Sequence, residues 1–318
     1  MKLGRLIAFS LLFAVAVTIY LFQTRLEKQA LTSFPDEVNR IFMMGEDDFP
    51  DHLEIQNQSE KTRVLLAKEG EAWALVSPVV YPADPEVIAG VVSGLRRATQ
   101  QPRLRAEKEW EEYGLSQPVM EVTMAIPGKK AETLFVGAQA PVGDAFFARW
   151  SSERGYFLLR GDVKEALQQS VYSFREKRVF RTPPSEMQKV YVEMGPLAYQ
   201  WKKDGPEWYW MEPLSKFGQK IPLEAMGRVL AALRGLYIKE FLDDNKKSKA
   251  DLGFFIIHDR ICIDSRLGKP EILHFGNEVP LQNAYFGFRE GEPTVFLLDQ
   301  GKVFQLLDLL KNIENTTE

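Results

Sequence analysis

Cysteine occurs once in the 318 residues, at Cys262, and histidine three times, at His52, His258 and His274. A lone cysteine excludes an internal disulfide framework and a four-cysteine zinc site within one chain. The scattered histidines lack the convergent donors that a metal centre or an acid–base pair requires. His258-Asp259 sets a histidine beside a carboxylate, but neighbours in a strand point to opposite faces. Also missing are a glycine-rich phosphate loop, a Gly-x-Ser-x-Gly elbow and a His-Glu-x-x-His helix. These gaps argue against ATP hydrolysis in this chain and leave no catalytic residue, cofactor or metal ligand to assign. Neither sign of charge dominates: 40 basic residues face 44 acidic ones, and the 45% apolar content is ordinary. Collagen-like, coiled-coil and wholly disordered classes are thereby excluded.

One long uncharged run stands out. Leu6 to Phe22 carries no charge over 17 residues, and as a helix it would reach about 26 Å, just enough to span a bilayer core. Lys2 and Arg5 precede it, whereas Glu27 partly offsets Arg25 and Lys28 behind it. That bias keeps the amino terminus cytoplasmic and sends the rest of the chain outside the cytoplasm. Residues 1–30 are therefore expected to form a single transmembrane signal anchor with its flanks. A cleaved signal peptide is the rival reading, with Ala14-Val15-Ala16 as the small-x-small site, but cleavage there would leave the apolar Val17 to Phe22 at the new terminus. Without residues 1–30 the net charge is −7, which argues against nucleic acid as a partner. Cys262, in the alternating Arg260-Ile261-Cys262-Ile263-Asp264, reads as an inert structural thiol.

Behind the anchor the chain repeats itself. Residues 134–167 and 273–306, compared without gaps at an offset of 139, share ten identities in 34 positions, where ordinary residue usage gives about two. Trp73 and Pro78 meet Trp208 and Pro213 at an offset of 135, and Gly114 meets Gly253 at 139. The expected fold class is α+β: two tandem copies of an antiparallel-sheet-plus-helix unit behind the transmembrane helix. Each copy reads as a three-strand meander, a helix, a glycine turn, further strands and a short closing helix. Asp84-Pro85 opens the first helix as N-cap and first helical residue, and Pro222 opens the second. The boundaries expected are a linker at 31–50 with a short helix from Pro35 to Met44, a first repeat at 51–170, a basic, proline-stopped connector at 171–185, a second repeat at 186–312, and a tail at 313–318.

Two features are candidates for binding. The loops 138–144 and 277–283 recur in register and include Pro141 and Asp144 in one copy, Pro280 and Asn283 in the other; they read as two matched contact edges, although turn geometry alone would also repeat them. Trp208 and Trp210 share one face of a strand beside Trp201 and the Asp204-Gly205 turn. Such a face stacks on a sugar or peptide when exposed, or closes the hairpin as a cross-strand cluster when buried.

The order of these features resembles a bacterial family, the domain of unknown function numbered 4340. The resemblance rests on the amino-terminal anchor, Trp73-Ala74-Leu75 through Ser77-Pro78, the helix after Asp84, Tyr113-Gly114-Leu115 with Pro118, Thr133 to Gly137, and Ala145-Phe146-Phe147-Ala148-Arg149. It implies an accessory role beside an ABC-type transport system related to gliding-motility components, with permease and ATPase subunits as partners, at the cytoplasmic membrane with the body extracytoplasmic. It supplies no catalytic residues. The expectation is a non-enzymatic binding or scaffold protein. An envelope polymer- or carbohydrate-processing hydrolase and a receptor binding a ligand between the two lobes are the alternatives; the hydrolase would need a carboxylate pair in a cleft.

Overall fold

The computed structural model describes residues 42–106, 109–254, 259–266 and 268–315. The anchor run Leu6 to Phe22, most of the expected helix from Pro35, and His258 lie outside the described residues. Among the described residues no helix is long and apolar enough to cross a membrane. Two compact units divide between Glu176 and Lys177, each an antiparallel sheet with helices against one face, so the fold class is α+β.

In the first unit β1 (His52–Asn57), β2 (Thr62–Glu69) and β3 (Ala72–Ser77) form a meander, followed by the two-residue β4 (Tyr81–Pro82) and α1 (Pro85–Thr99). Then come β5 (Met120–Ala125), β6 (Glu132–Gln139), β7 (Ala145–Trp150), β8 (Phe157–Arg160), α2 (Gly161–Leu167) and the single turn α3 (Val171–Phe174). The strand order is β4-β3-β2-β1-β5-β6-β7-β8. Alternating burial puts Leu53, Ile55, Val122 and Leu134 on the core face, where α1 lays down Ile88, Val91, Val92 and Leu95. Asp84 Oδ1 accepts from the backbone N–H of Glu86 (3.0 Å) and Val87 (3.4 Å), the capping that its position before Pro85 foretells.

The second unit holds β9 (Met187–Met194), β10 (Leu197–Asp204), β11 (Glu207–Glu212), β12 (Lys220–Ile221), α4 (Leu223–Arg234), β13 (Ile238–Phe241), β14 (Arg260–Ser265), β15 (Glu271–Val279), β16 (Ala284–Arg289), β17 (Val295–Asp299) and α5 (Gln300–Asn315). Its order, β12-β11-β10-β9-β14-β15-β16-β17-β13, repeats the first sheet and adds β13 at the far edge. Pairing repeats residue for residue: Leu134 opposes Trp150 as Leu273 opposes Arg289, and Ala145 opposes Arg160 as Ala284 opposes Asp299. The bulge between Val136 and Gln139 recurs between Phe275 and Glu278. A register this strict follows from one buried face, because a one-residue slip would turn every core side chain outward.

The matched glycines have a steric reason. A Cβ on Gly137 would lie 2.3 Å from the carbonyl oxygen of Tyr113, and one on Gly276 2.4 Å from that of Leu252. Residues 113 and 252 also correspond at an offset of 139, so the same crossing turn rests on the same strand in both units.

Several expectations need correction. The end of the expected linker is attached to the first unit: Met44 and Pro50 are buried, although Gly45, Glu46, Asp47 and Phe49 are exposed, Asp48 pairs with Lys129 at 2.5 Å, and the Arg96 guanidinium donates to the carbonyls of Glu46 and Asp48 (each 3.2 Å). Phe42 to Met44 are not helical; the Phe42 N–H donates instead to Glu153 Oε1 (2.7 Å). The connector's backbone groups find partners within each unit. Arg175 bridges Ala83 in the first unit, while Arg178 bridges Tyr237 and Val179 N–H donates to the Leu236 carbonyl in the second. Residue 313 is core and not tail, since Val303, Leu306, Leu310 and Ile313 form one buried stripe of α5.

Candidate functional site

The β6–β7 and β15–β16 loops are built alike. The Gly161 N–H at the start of α2 donates to the Asp144 carbonyl (2.9 Å), and the Gln300 N–H at the start of α5 donates to the Asn283 carbonyl (3.0 Å). Each loop is thus clipped to the helix that closes its unit. Pro141, Asp144, Pro280 and Asn283 are all exposed, but they have different duties. The Asp144 carboxylate fills the space a Cβ on Gly161 would occupy, 2.1 Å from that position, so it packs on the helix start. Asn283 adopts φ 47°, the left-handed conformation asparagine tolerates, and ends the one-turn helix Pro280–Gln282. The residues presented outward follow the prolines: Val142 is 81% exposed and Leu281 100%. An apolar residue after a proline in the same register of both copies is a signal present in the sequence, and reading the prolines alone misses it.

Trp208 and Trp210 do not form a surface. They are 3% and 0% exposed, and Trp210 opposes Trp201 across the hairpin with ring centroids 5.5 Å apart at 68°. The alternation that puts both on one strand face puts them on the core face, against α4 residues such as Met226 and Val229 in the same core.

On the other face of each sheet lies a cluster that sequence reading does not assemble. In the first unit the Arg149 guanidinium sits between the rings of Phe135 (4.5 Å to the centroid) and Trp110 (5.2 Å). Its Nε is buried without a hydrogen-bond partner among the described residues, and burial pushes the guanidinium below the ordinary arginine value. The corresponding positions of the second unit, at an offset of 139, are Phe288, His274 and Lys249. There the ring is central: Phe288 stacks on His274 (4.6 Å, 10°) and takes the Lys249 ammonium 3.6 Å from its centroid. His274 Nε2 is 3.0 Å from Glu290 Oε2. One position triad therefore holds a cation between two rings in one unit and a ring between two nitrogenous side chains in the other.

The remaining titratable groups are tied into the fold. Glu153 is fully buried and pairs with Arg103 (Nε to Oε2 2.5 Å, Nη2 to Oε1 2.9 Å) beneath Phe42, whose ring lies 5.1 Å from Trp150. Glu132 accepts from the Ser151 hydroxyl (2.8 Å) and the Ser152 N–H (3.3 Å). His52 is exposed beside Asp51, with 2.9 Å between Nδ1 and Oδ1. The Cys262 thiol is pushed up to about 11, by burial first and by Asp264 next. Among the described residues no group of three or more His, Cys, Asp or Glu side chains converges as a metal site.

The two units thus share a strand order and a pair of exposed apolar loop tips. The family model for a domain of unknown function, DUF4340, matches residues 73–254, more than half of the chain, from β3 through the Gly253 turn. The chain belongs to this family. No curated protein and no solved structure matches it.

Proposed function

We propose that this protein is a membrane-anchored extracytoplasmic accessory subunit that acts by contact, as a binding or scaffold component of an ABC-type transport system. The observation that carries the contact role is the pair of matched loop tips, with Val142 and Leu281 held outward on clipped, proline-led loops. An apolar side chain fixed in water is an anchor in waiting, because burying it against a partner yields about 1.5–3 kcal/mol, and a pre-shaped loop has little ordering left to lose. Leu6 to Phe22 supplies the tether, and the family resemblance supplies the transport context. The buried Arg103–Glu153 pair, which receives the Phe42 backbone, fixes the chain where it enters the first unit.

The test replaces Val142→Asp and Leu281→Asp together in the full-length chain. Co-purification of the permease and ATPase subunits should fall at least tenfold while circular dichroism is unchanged, since both side chains are exposed. A carboxyl-terminal reporter fusion checks the compartment: activity restricted to extracytoplasmic reporters supports the tether orientation. Undiminished co-purification, or a reporter active only in the cytoplasm, removes the corresponding half of the proposal.

A further inference from the structure

We propose that the second unit contains a binding site for a small primary ammonium compound with a compact apolar body, held between β15, β16 and α5. A cavity of about 240 Å³ opens there, walled by Met194, Phe275, Tyr285, Val303 and Leu307, with Asp259 as the carboxylate in its lining. This site is distinct from the loop tips and does not depend on the contact role.

The lining of this cavity differs from the equivalent positions of the first unit. At the offset of 139, Val303 corresponds to Lys164, Leu307 to Gln168 and Tyr285 to Phe146. In the first unit the Lys164 ammonium lies 4.8 Å from the Phe146 ring centroid and donates to Gln168 Oε1 (2.5 Å), and Gln168 Nε2 donates to Glu60 Oε1 (2.8 Å). That chain of contacts bridges the helix to the four-residue loop between β1 and β2. In the second unit the equivalent turn is only Gly195-Pro196, because Met194 and Leu197 pair directly. No residue takes the place of Glu60, and the helix offers Val303 and Leu307 where the first unit has a bridge. Shortened turn and apolar substitutions together leave the space open.

The chemistry of the lining selects the ligand. Asp259 Oδ1 accepts the Gly195 N–H at 2.7 Å, which orients the carboxylate and leaves its other oxygen for a donor. Glu278 adds negative charge beside Tyr285, whose hydroxyl is pushed up mainly by burial. Two aromatic residues, Phe275 and Tyr285, favour a cation on their faces, and the remaining wall is aliphatic. The first unit places its own ammonium, that of Lys164, over the ring at the equivalent position, so a free ammonium in the second unit would restore the contact its helix no longer supplies. At about 30 Å³ per water-sized group the volume suits roughly eight heavy atoms.

Cyclohexylmethylammonium has that size and serves as the probe, titrated into the full chain and followed by ligand-observed NMR. Saturable binding is expected, with the isosteric alcohol cyclohexylmethanol at least about tenfold weaker because it lacks the charge and cyclohexanecarboxylate not binding. Asp259→Asn should remove the preference of ammonium over alcohol, and Leu307→Phe, which fills a partly exposed wall, should abolish binding of both. Both variants are checked for unchanged circular dichroism, and the Asn variant, nearly isosteric, keeps the test alive if the Phe variant unfolds. No saturable binding of the ammonium to the unaltered chain, equal binding of the alcohol, or an ammonium preference that survives in Asp259→Asn would overturn the assignment.

Discussion

Replacing Gly137 by alanine, and separately Gly276, is expected to destabilise the two units to a similar degree. The new Cβ would stand 2.3 Å from the Tyr113 carbonyl oxygen in one case and 2.4 Å from that of Leu252 in the other. A carbon–oxygen contact rests at about 3.3 Å or more, so the backbone must part by about 1 Å, because both carbonyl oxygens belong to backbone. Overpacking of this kind costs about 1–3 kcal/mol, offset by about 0.4–1 kcal/mol from the stiffer unfolded chain. The net of about 1–2 kcal/mol corresponds to a fall of about 3–8 °C in the unfolding temperature of a domain this size. Gly90→Ala is the control: it lies inside α1 with nothing within 4 Å of its Cβ position, and it should stabilise by up to about 1 kcal/mol. Scanning calorimetry of the full chain separates the outcomes. If Gly137→Ala behaves like Gly90→Ala, or if only one of the two paired glycines is sensitive, the close approach of a shared turn is not what these glycines provide.

Two further expectations concern buried groups. Glu153→Gln or Arg103→Met should each cost about 3–5 kcal/mol, because one charge is left buried without its partner, and should release residues 42–50 to limited proteolysis; a variant as protease-resistant as the parent would show that the pair does not hold this strap. The Cys262 thiol, pushed up to about 11, must be deprotonated to react, so at pH 8 the folded chain should be alkylated about 100-fold more slowly than the unfolded one. The folded rate should climb about tenfold per pH unit up to that value, and a rate that levels off near pH 9 would contradict the raised pKa.

Much of the architecture was legible because one buried face forces a period on each strand. Asp84-Pro85 declared the start of α1, and the ungapped identities from Leu134 to Leu167 carried the register of two successive ladders into the second unit. The two-residue strands β4 and β12 are too short to carry any period. Ile238-Lys239-Glu240-Phe241 hides β13 behind two adjacent charges, which an edge strand tolerates. At the candidate site the sequence exposed the loops through Pro141 and Pro280 but not their exposed apolar tips, and the tryptophans misled because a strand face shared by Trp208 and Trp210 looks the same whether it meets water or a helix. The triads around Arg149 and Phe288 stayed invisible for a different reason: their members come from three separated segments, and no residue type is kept between the copies.

That inversion has a consequence for how the two halves can change. If Phe288 were replaced by arginine, as at position 149, a guanidinium would stand between the Lys249 ammonium and His274, and an aromatic residue at position 149 would leave Trp110 and Phe135 without their cation. Each half can accept the other's solution only as a set of three, and the three codons are spread over about forty positions. Recombination between the two halves that copied a shorter tract would pass through mismatched intermediates, with like charges together in one half and an unfilled aromatic pair in the other.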